Sequence, residues 1–195
     1  MDFLAVGDIV TEPFIRLKDA EVHCADGDEN CMLSMRFGDK IPYDFAEVVP
    51  AVGNAPNAAV AAARLGVQTA LVTDIGDDAV GEANQARLIE EGVNTDYVSV
   101  HTGMKSNYHY VLWYEEDRTI LVKHEEYPYH FSPEIPAPRW MYLSSLADHS
   151  LPYHEEITQY LALHPETKLA FEPGTFQIKL GAETLKHLYA RSALF

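Results

Sequence analysis

The stretch from Ala51 to Gly76 reads AVGNAPNAAVAAARLGVQTALVTDIG. Its order is typical of a glycine turn, a helix of small residues, a glycine stop and a buried strand at Thr69–Val72. Asn54 is the expected N-cap, because asparagine is favoured at that position and a proline is tolerated in the first turn. Ala58 to Leu65 are expected to continue the helix with side chains small enough to pack closely on a sheet.

The segments on either side of this stretch predict an α/β fold. Short apolar runs that predict buried strands alternate with helical patterns, and that order favours a sheet with right-handed crossovers. The other predicted strands are Phe3–Val6, Trp140–Leu146, Lys168–Phe171 and the start of one at 193–195. The other predicted helices are one over Ala79–Ile89 with an aspartate cap, one capped by Ser150, and one containing Leu185, Leu188 and Tyr189.

Residues 14–49 and 97–124 predict a second, smaller β element inserted in the main domain. The first segment scatters apolar side chains among charges, with a turn at Asp26–Asp28 and its most strand-like piece at Asn30–Phe37. Pro13 is expected to interrupt strand pairing ahead of it. The second segment contains three β-rich runs, Tyr97–Val100, Ser106–Tyr114 and Thr119–His124. We expect antiparallel strands with one solvated face.

The composition argues against several classes of partner and location. The formal net charge is −16, so an acidic surface makes nucleic acid and anionic membranes poor partners. No basic residues precede an apolar run at the N-terminus, and no apolar segment approaches the ~20 residues of a membrane helix. Cys24 and Cys31 fit no zinc-binding spacing, and we expect them to be reduced. The predicted location is cytoplasmic.

Polar residues gather where a ligand could reach the central helix. Asn54 and Asn57 lie at its start, where free N–H groups and the helix dipole also point outward, and Gly53 allows close approach to the backbone. Asp8 or Glu12 follows the first strand, at the carboxyl edge of the sheet. Amides, a carboxylate and glycine backbone suit a polyhydroxylated molecule. The alternative is structural, because a cap, a satisfied loop and a solvated carboxylate explain the same residues.

Other chemistry has little support in the sequence. The histidines do not form a close metal-binding set, and no site for a metal is predicted. There is no Gly-x-Ser-x-Gly elbow and no phosphate-binding Gly-x-x-x-x-Gly-Lys-Ser/Thr loop. Aromatic residues such as Trp113 and Tyr110 could stack on a ligand, although in a β-sheet they more often pack against its face.

The central stretch resembles the first signature of the ribokinase-like (PfkB) carbohydrate kinases. The resemblance is carried by Gly53 to Ala59, then Leu65-Gly66, then Gly76-Asp77 and Gly81 at the family's spacing. The order of elements along the whole chain is similar too. The resemblance implies a large α/β domain with a small β lid, through which related members often dimerise.

Activity and site residues follow from the resemblance as expectations. The family transfers the γ-phosphate of ATP, with Mg²⁺, to a hydroxyl group of a sugar or related compound. Glu12 matches an acidic residue that binds sugar hydroxyls, and Gly53, Asn54 and Asn57 match positions that hold the sugar. Two residues depart from the family pattern: Val52 replaces a glycine, and Asn54 replaces the lysine of ribokinases proper.

The family's second signature is missing from these 195 residues. It carries a Gly-x-Gly-Asp turn, which supplies the catalytic base and anion hole, and the Asn-x-x-Glu motif is missing as well. We therefore expect a truncated chain without the C-terminal part of the fold, without catalytic residues or an ATP site, and inactive alone. The alternatives are a nucleoside kinase of the same family, with Trp113 or Tyr110 stacking on a base, and a non-catalytic protein that binds sugar.

Overall fold

The computed structural model describes residues 1–25 and 30–194, which form twelve strands and five helices. In chain order the strands are β1 (Phe3–Val6), β2 (Val10–Leu17), β3 (Glu21–Cys24), β4 (Cys31–Ser34), β5 (Tyr43–Val52), β6 (Thr69–Gly76), β7 (Val98–His101), β8 (Tyr110–Tyr114), β9 (Asp117–Leu121), β10 (Trp140–Leu143), β11 (Lys168–Phe171) and β12 (Ser192–Leu194). The helices are α1 (Asn54–Arg64), α2 (Ala79–Glu90), α3 (Leu151–Leu163), α4 (Thr175–Leu180) and α5 (Lys186–Arg191).

The chain divides into two compact units. The first unit contains Met1–Val10, Pro50–Asn107 and His124–Phe195, and the second contains Thr11–Val49 and Tyr108–Lys123. None of the helices in the described ranges has the length and apolarity that crossing a membrane requires.

The first unit is built on a six-stranded parallel sheet with the order β12-β11-β10-β1-β6-β7. In β1, Phe3 is in register with Trp140 of β10 on one side and with Thr69 of β6 on the other. After β1 the chain adds β6 and β7 on one side, and then β10, β11 and β12 on the other. This reversal places a topological switch point beside β1, where open α/β sheets usually bind ligands.

Helices cover both faces of this sheet because its central strands are apolar on both faces. Side chains alternate between the faces along each strand. Leu4 and Val6 join a core with Ile157 of α3, whereas Ala5 joins a second core with Ala55 of α1. The predicted buried strand at Phe3–Val6 and the predicted close packing of an alanine-rich helix on a sheet are therefore confirmed.

The second unit contains a four-stranded sheet, in the order β5-β2-β8-β9, and a two-stranded hairpin of β3 and β4. The pairs β8–β9 and β3–β4 are antiparallel, whereas β2 runs parallel to β8. Pro13 lies inside β2. Thr11 pairs with Tyr108, which precedes β8, and pairing to β8 itself begins at Phe14, so the proline lies in a gap of the ladder without ending the strand.

Three boundaries differ from the sequence-based expectations. Gly53, and not Asn54, is the N-cap of α1, which begins at Asn54. β6 continues to Gly76, where a loop from Asp74 was expected, because these residues pair with β7. The assignment of Tyr97–Val100 to the antiparallel element was wrong, since β7 joins the parallel sheet as an edge strand. An edge strand is half solvated, so its pattern resembles that of a strand with one wet face.

The expectation of two reduced cysteines is also corrected. Cys24 and Cys31 form a disulfide with their Cα atoms 4.0 Å apart. They face each other because β3 and β4 pair in antiparallel register. The sequence reasoning predicted a strand within Asn30–Phe37, which β4 confirms, but it missed the exposed strand β3 and therefore the pairing. The predicted turn at Asp26–Asp28 lies outside the described residues.

The remaining elements agree with expectation, with small differences. Asp78 caps α2 by accepting a hydrogen bond from the Gly81 amide at 3.0 Å. Ser150 precedes α3, but its side chain makes no capping hydrogen bond. The last predicted helix is α5, preceded by the short α4, and the last strand is β12.

An ion-pair cluster joins the ends of α1 and α2. The Arg64 guanidinium donates to the Glu91 carboxylate, with Nε 2.6 Å from Oε2, and Nη2 of Arg87 lies 2.5 Å from Oε1 of Glu91. The Glu91 side chain is only 10% exposed. The hydrogen bonds from Arg64, together with the charges of both arginines, lower the pKa of Glu91 below its usual value of 4.5.

We predict that Glu91→Gln flattens the acid side of the stability profile. Because the pKa of Glu91 is lower in the folded state, its contribution is present above the unfolded-state pKa and lost as pH falls through the folded-state pKa. The melting temperature of the variant should therefore lie below that of the wild type near pH 7, and the difference should shrink as the pH falls below 4.5. The measurement is thermal unfolding followed by circular dichroism at a series of pH values.

The matched control is Glu90→Gln, one residue earlier. Glu90 also pairs with Arg87, at 2.7 Å, but its side chain is 69% exposed. Exposed pairs contribute little, so its melting profile should follow that of the wild type. Parallel profiles for Glu91→Gln and the wild type would contradict the assignment.

Candidate substrate site

The start of α1 lies against the carboxyl end of β1. Gly53 has φ +125°, and a Cβ atom at this position would lie 2.7 Å from the backbone oxygen of Asp8. A side chain is therefore excluded on steric grounds as well as by the backbone conformation. Of the predicted site residues, the structure thus brings Asp8 and Gly53 into direct contact, at the switch point of the sheet.

Asn54 and Asn57 lie on the first turn of α1. Both side chains are exposed, and neither makes a hydrogen bond with any residue of the described ranges. Residues three apart on a helix share a face, so the two amides are neighbours. No side chain among the described residues caps α1, and its first turn carries no acidic residue. The helix start therefore offers two free amides and uncapped N–H groups to a polar ligand.

The side chain of Asp8 is held in place by Tyr129 and His124. Its side chain is 8% exposed, and Oδ1 accepts a hydrogen bond from the Tyr129 hydroxyl at 2.7 Å. Nδ1 of His124 lies 3.3 Å from Oδ2. Burial raises the pKa of Tyr129, and the Asp8 charge raises it further, so the phenol stays protonated and donates. Tyr129 in turn stacks on His149 and Tyr153, with ring centroids 4.8 and 5.3 Å apart.

A second buried carboxylate lies at the end of the adjacent strand. Asp74 of β6 is hydrogen-bonded to His101 of β7. The Nε2 atom of His101 lies 2.7 Å from Oδ1 of Asp74. Burial raises the pKa of Asp74, and the hydrogen bond from His101 opposes that shift. The His101 ring stacks on Tyr127, with centroids 5.0 Å apart. This pair fixes the ends of β6 and β7 relative to each other.

The glycines and aspartates that follow β6 have structural roles. A Cβ atom on Gly81 would collide with the backbone oxygen of Gly76, so α2 can approach β6 only because residue 81 is glycine, whereas a Cβ atom on Gly76 would collide with the backbone of Met104. The Asp78 carboxylate accepts hydrogen bonds from the Ser106 hydroxyl at 2.7 Å and from the Gly81 amide. Burial opposes ionisation of Asp78, but these hydrogen bonds outweigh it and lower the pKa.

Glu12, the remaining predicted site residue, belongs to the second unit. Its carboxylate lies 3.7 Å from Nδ1 of the buried His109, and its side chain is 16% exposed. The role of Glu12 in holding a substrate stays a prediction, as do the roles of Asp8, Gly53, Asn54 and Asn57.

Several residues that shape the site were missed by the sequence reasoning. Tyr129 and His124 contact Asp8 from far along the chain, within or next to a proline-rich segment that has no periodicity. Ser106 and Asn84 are buried polar residues whose partners lie about thirty positions away. None of them belongs to a motif, and the sequence carries no signal of these tertiary contacts.

The described residues do not fit a magnesium site. Within ranges 1–25 and 30–194, no group of three or more histidine, cysteine, aspartate or glutamate side chains is arranged to hold a metal ion. We therefore derive no step through Mg²⁺ or ATP from the residues present.

Comparison with known proteins assigns the chain to a family. Residues 39–152, more than half of the chain, match the pfkB family of carbohydrate kinases. The chain belongs to the pfkB carbohydrate kinase family. The matched segment contains the start of α1, the glycine turn before it and the strands and helices up to β10.

Individual relatives agree. Ribokinase of Bacillus subtilis (strain 168) is 41% identical over 70 residues, which cover 36% of this chain and 24% of that protein. The structure of a nucleoside kinase from Methanocaldococcus jannaschii matches with a TM-score of 0.71 at 13% identity, over 98% of this chain and 58% of that one. Ribokinase of Arabidopsis thaliana, complexed with ribose and ATP, matches with a TM-score of 0.68 at 16% identity, over 87% and 52%.

The structural matches support the fold alone, because their identities are low. They confirm the expected ribokinase-like α/β architecture, with a parallel sheet between helices and a small antiparallel sheet. The chain spans about half the length of these structures, and its 70-residue match to the Bacillus subtilis ribokinase covers 24% of that protein.

We predict that Tyr129→Phe destabilises the protein by about 2 kcal/mol, because a buried carboxylate loses a hydrogen-bond donor. Chemical denaturation monitored by fluorescence measures the difference. Tyr43→Phe is the matched control, since the Tyr43 side chain is 56% exposed and its hydroxyl makes no hydrogen bond with a described residue. Equal stability of the two variants would remove Tyr129 as the support of Asp8.

Proposed function

We propose that the protein is an ATP-dependent carbohydrate kinase that phosphorylates a hydroxyl group of a sugar. The observation that carries the proposal is the start of α1, where two exposed amides and uncapped N–H groups lie at the switch point of the sheet. Amides can both donate to and accept from the hydroxyl groups of a neutral sugar. Family membership supplies the reaction class, and the relative complexed with ribose and ATP supports a pentose as the first substrate to test.

The sugar is proposed to bind along one face of the first turn of α1. Asn54 and Asn57 would hydrogen-bond its hydroxyl groups, and Gly53 would let a hydroxyl approach the backbone. Asp8 would form the inner wall of the site, and Tyr129 and His124 would hold its carboxylate in one orientation. Glu12 is proposed to bind sugar hydroxyl groups too, as the resemblance to the family implies. Phosphoryl transfer requires such positioning before any chemistry takes place.

ATP is the proposed phosphate donor, and Mg²⁺ the proposed metal. The base, the anion hole and the nucleotide site of the family would have to come from residues other than the 195 described by this sequence. On that basis the 195-residue chain is proposed to bind sugar weakly and to be inactive alone.

The nucleoside kinase alternative depends on an aromatic residue that can stack on a base. Trp113 is already engaged, because the Arg16 guanidinium lies 4.5 Å from its ring centroid and its Nε1 donates to the Glu115 oxygen. Tyr110 is 46% exposed and is the better candidate. These contacts leave Tyr110 as the residue on which the nucleoside kinase alternative depends. The second alternative, a non-catalytic protein that binds sugar, is distinguished by the experiment below.

The decisive experiment combines binding and turnover. Isothermal titration of the 195-residue chain with ribose, fructose and adenosine should show binding of a sugar, and Asn57→Ala should weaken that binding roughly tenfold by removing one hydrogen-bonding side chain. Any longer product of the same reading frame should transfer the γ-phosphate of ATP to the same sugar, as measured by ADP release.

The control for binding is Gln85→Ala, a truncation of a half-buried amide side chain on α2 that should leave the affinity unchanged. Sugar binding by a reading frame that ends at Phe195 would favour the non-catalytic alternative. Preference for adenosine over every sugar would favour the nucleoside kinase. Failure of a longer product to phosphorylate any compound of the panel would end the kinase proposal.

We also propose that the protein forms a homodimer through the four-stranded sheet of the second unit. The support is a group of large apolar side chains left exposed on that sheet: Tyr43, Phe45, Val48, Tyr110, Ile120 and Leu121. Tyr110 and Leu121 are directly opposite each other on β8 and β9 and so share a face. Exposed apolar side chains that share a face, as these two do, are typical of association sites.

We predict that Leu121→Asp shifts the protein from a dimer to a monomer, because burial of an unpaired carboxylate at an apolar interface is costly. Size-exclusion chromatography with light scattering gives the mass directly. Val100→Asp, a similar change of a side chain that is 51% exposed on β7 of the first unit, should leave the mass of the dimer unchanged. A wild-type protein that is monomeric at all concentrations would reject the dimer.

A cytoplasmic location is proposed together with the kinase activity, since ATP is the phosphate donor. The Cys24–Cys31 disulfide argues against this location, because disulfides are rare in that compartment.

A further inference from the structure

Asn84 of α2 contacts the turn that leads into α1. Its Oδ1 accepts a hydrogen bond from the backbone amide of Ala51 at 2.8 Å, and the residue is fully buried. Ala51 precedes Gly53 by two residues, so the contact lies immediately before the proposed substrate site. Asn84 is outside the residues that carry the family resemblance.

Ala51 needs such a contact because of its backbone conformation. Its φ is +57°, in the left-handed region that residues with a Cβ atom avoid. Its amide and its side chain are buried, so the N–H group must find a partner inside the protein. The Oδ1 atom of Asn84 can accept this hydrogen bond only when the N–H group of Ala51 points toward it. The hydrogen bond therefore selects the left-handed conformation over the extended one that alanine would otherwise prefer.

We propose that Asn84 is a positioning residue for substrate binding. By fixing Ala51 in the left-handed conformation, it sets the direction in which the chain enters Gly53 and the first turn of α1. The amides of Asn54 and Asn57 then point to the same place in the free protein as in the complex, which lowers the cost of binding. This inference rests on the proposed function, because the substrate contacts are those assigned to the start of α1.

A purely structural role for Asn84 predicts something different. A buried asparagine that only satisfies its neighbours would lower global stability when replaced, without a specific effect on the turn or on substrate affinity. Two measurements separate the roles: amide hydrogen exchange at Ala51, and sugar affinity under conditions in which every variant is folded.

The test compares Asn84→Leu with Gln85→Leu in the 195-residue chain. Both changes replace an amide side chain on α2 by leucine, but the Gln85 side chain makes no hydrogen bond with a described residue. In Asn84→Leu, exchange of the Ala51 amide should accelerate at least roughly tenfold, and the affinity for ribose should fall by a similar factor. Gln85→Leu should change neither. If Asn84→Leu does not fold, Asn84→Asp keeps an acceptor at the same position and should retain the protection of Ala51.

A second substitution tests the mechanism directly. Ala51→Gly removes the steric preference against positive φ, since glycine adopts that conformation readily. In the Asn84→Leu background it should restore part of the lost affinity, whereas in the wild-type background it should have little effect. Loss of affinity that Ala51→Gly does not reduce would overturn the positioning role.

The outcomes distinguish failure of this inference from failure of the proposed function. If the wild-type chain binds no sugar, the substrate assignment fails, and the exchange rates still decide whether Asn84 fixes the turn. If the wild type binds ribose and Asn84→Leu binds it equally well with an unchanged exchange rate at Ala51, the inference fails while the proposed function stands.

Discussion

The close approach between the start of α1 and the carboxyl end of β1 is the constraint on which the site depends. A Cβ atom on Gly53 would lie 2.7 Å from the backbone oxygen of Asp8, and one on Gly7 would lie 2.9 Å from the Cβ atom of Ala55. Neither position has room for a side chain. The helix can therefore begin only where the strand ends. This geometry puts the positive end of the helix dipole at the topological switch point of the sheet, where backbone N–H groups and side-chain amides can face the same ligand.

The approach is maintained by contacts made elsewhere in the first unit. Arg64, Arg87 and Glu91 join the far ends of α1 and α2, and Asp78 ties the near end of α2 to Ser106. α2 lies close to β6 because Gly81 lacks a side chain, and the backbone of Met104 lies close to Gly76 for the same reason. The spacing of the glycines that carry the family resemblance is thus largely a packing requirement. The residues proposed to contact a substrate are fewer than those that hold the helix in place.

The sequence predicted the parts of this arrangement that are local. Periodicity and composition located α1, the buried β1 and the alternation of strands and helices, because those features follow from the period of each element and from glycine punctuation. The contacts that orient Asp8 were not predictable, since Tyr129 lies about 120 positions away in a segment without a pattern. The prediction for Cys24 and Cys31 failed for a related reason. Their disulfide depends on the register of a short, exposed hairpin whose first strand has no buried face.

The charged groups near the proposed site already have partners, whereas the neutral groups do not, and this difference limits the kind of ligand that could bind. The buried carboxylates are already committed, Asp8 to Tyr129 and His124, and Asp74 to His101. Reorienting either would leave a donor without its acceptor, at a cost that a weak ligand could not supply. The groups that are free to change partners are the exposed amides of Asn54 and Asn57 and the backbone at Gly53. All of them are neutral, so they suit an uncharged polyol, while an anionic ligand would face a protein with a net charge of −16.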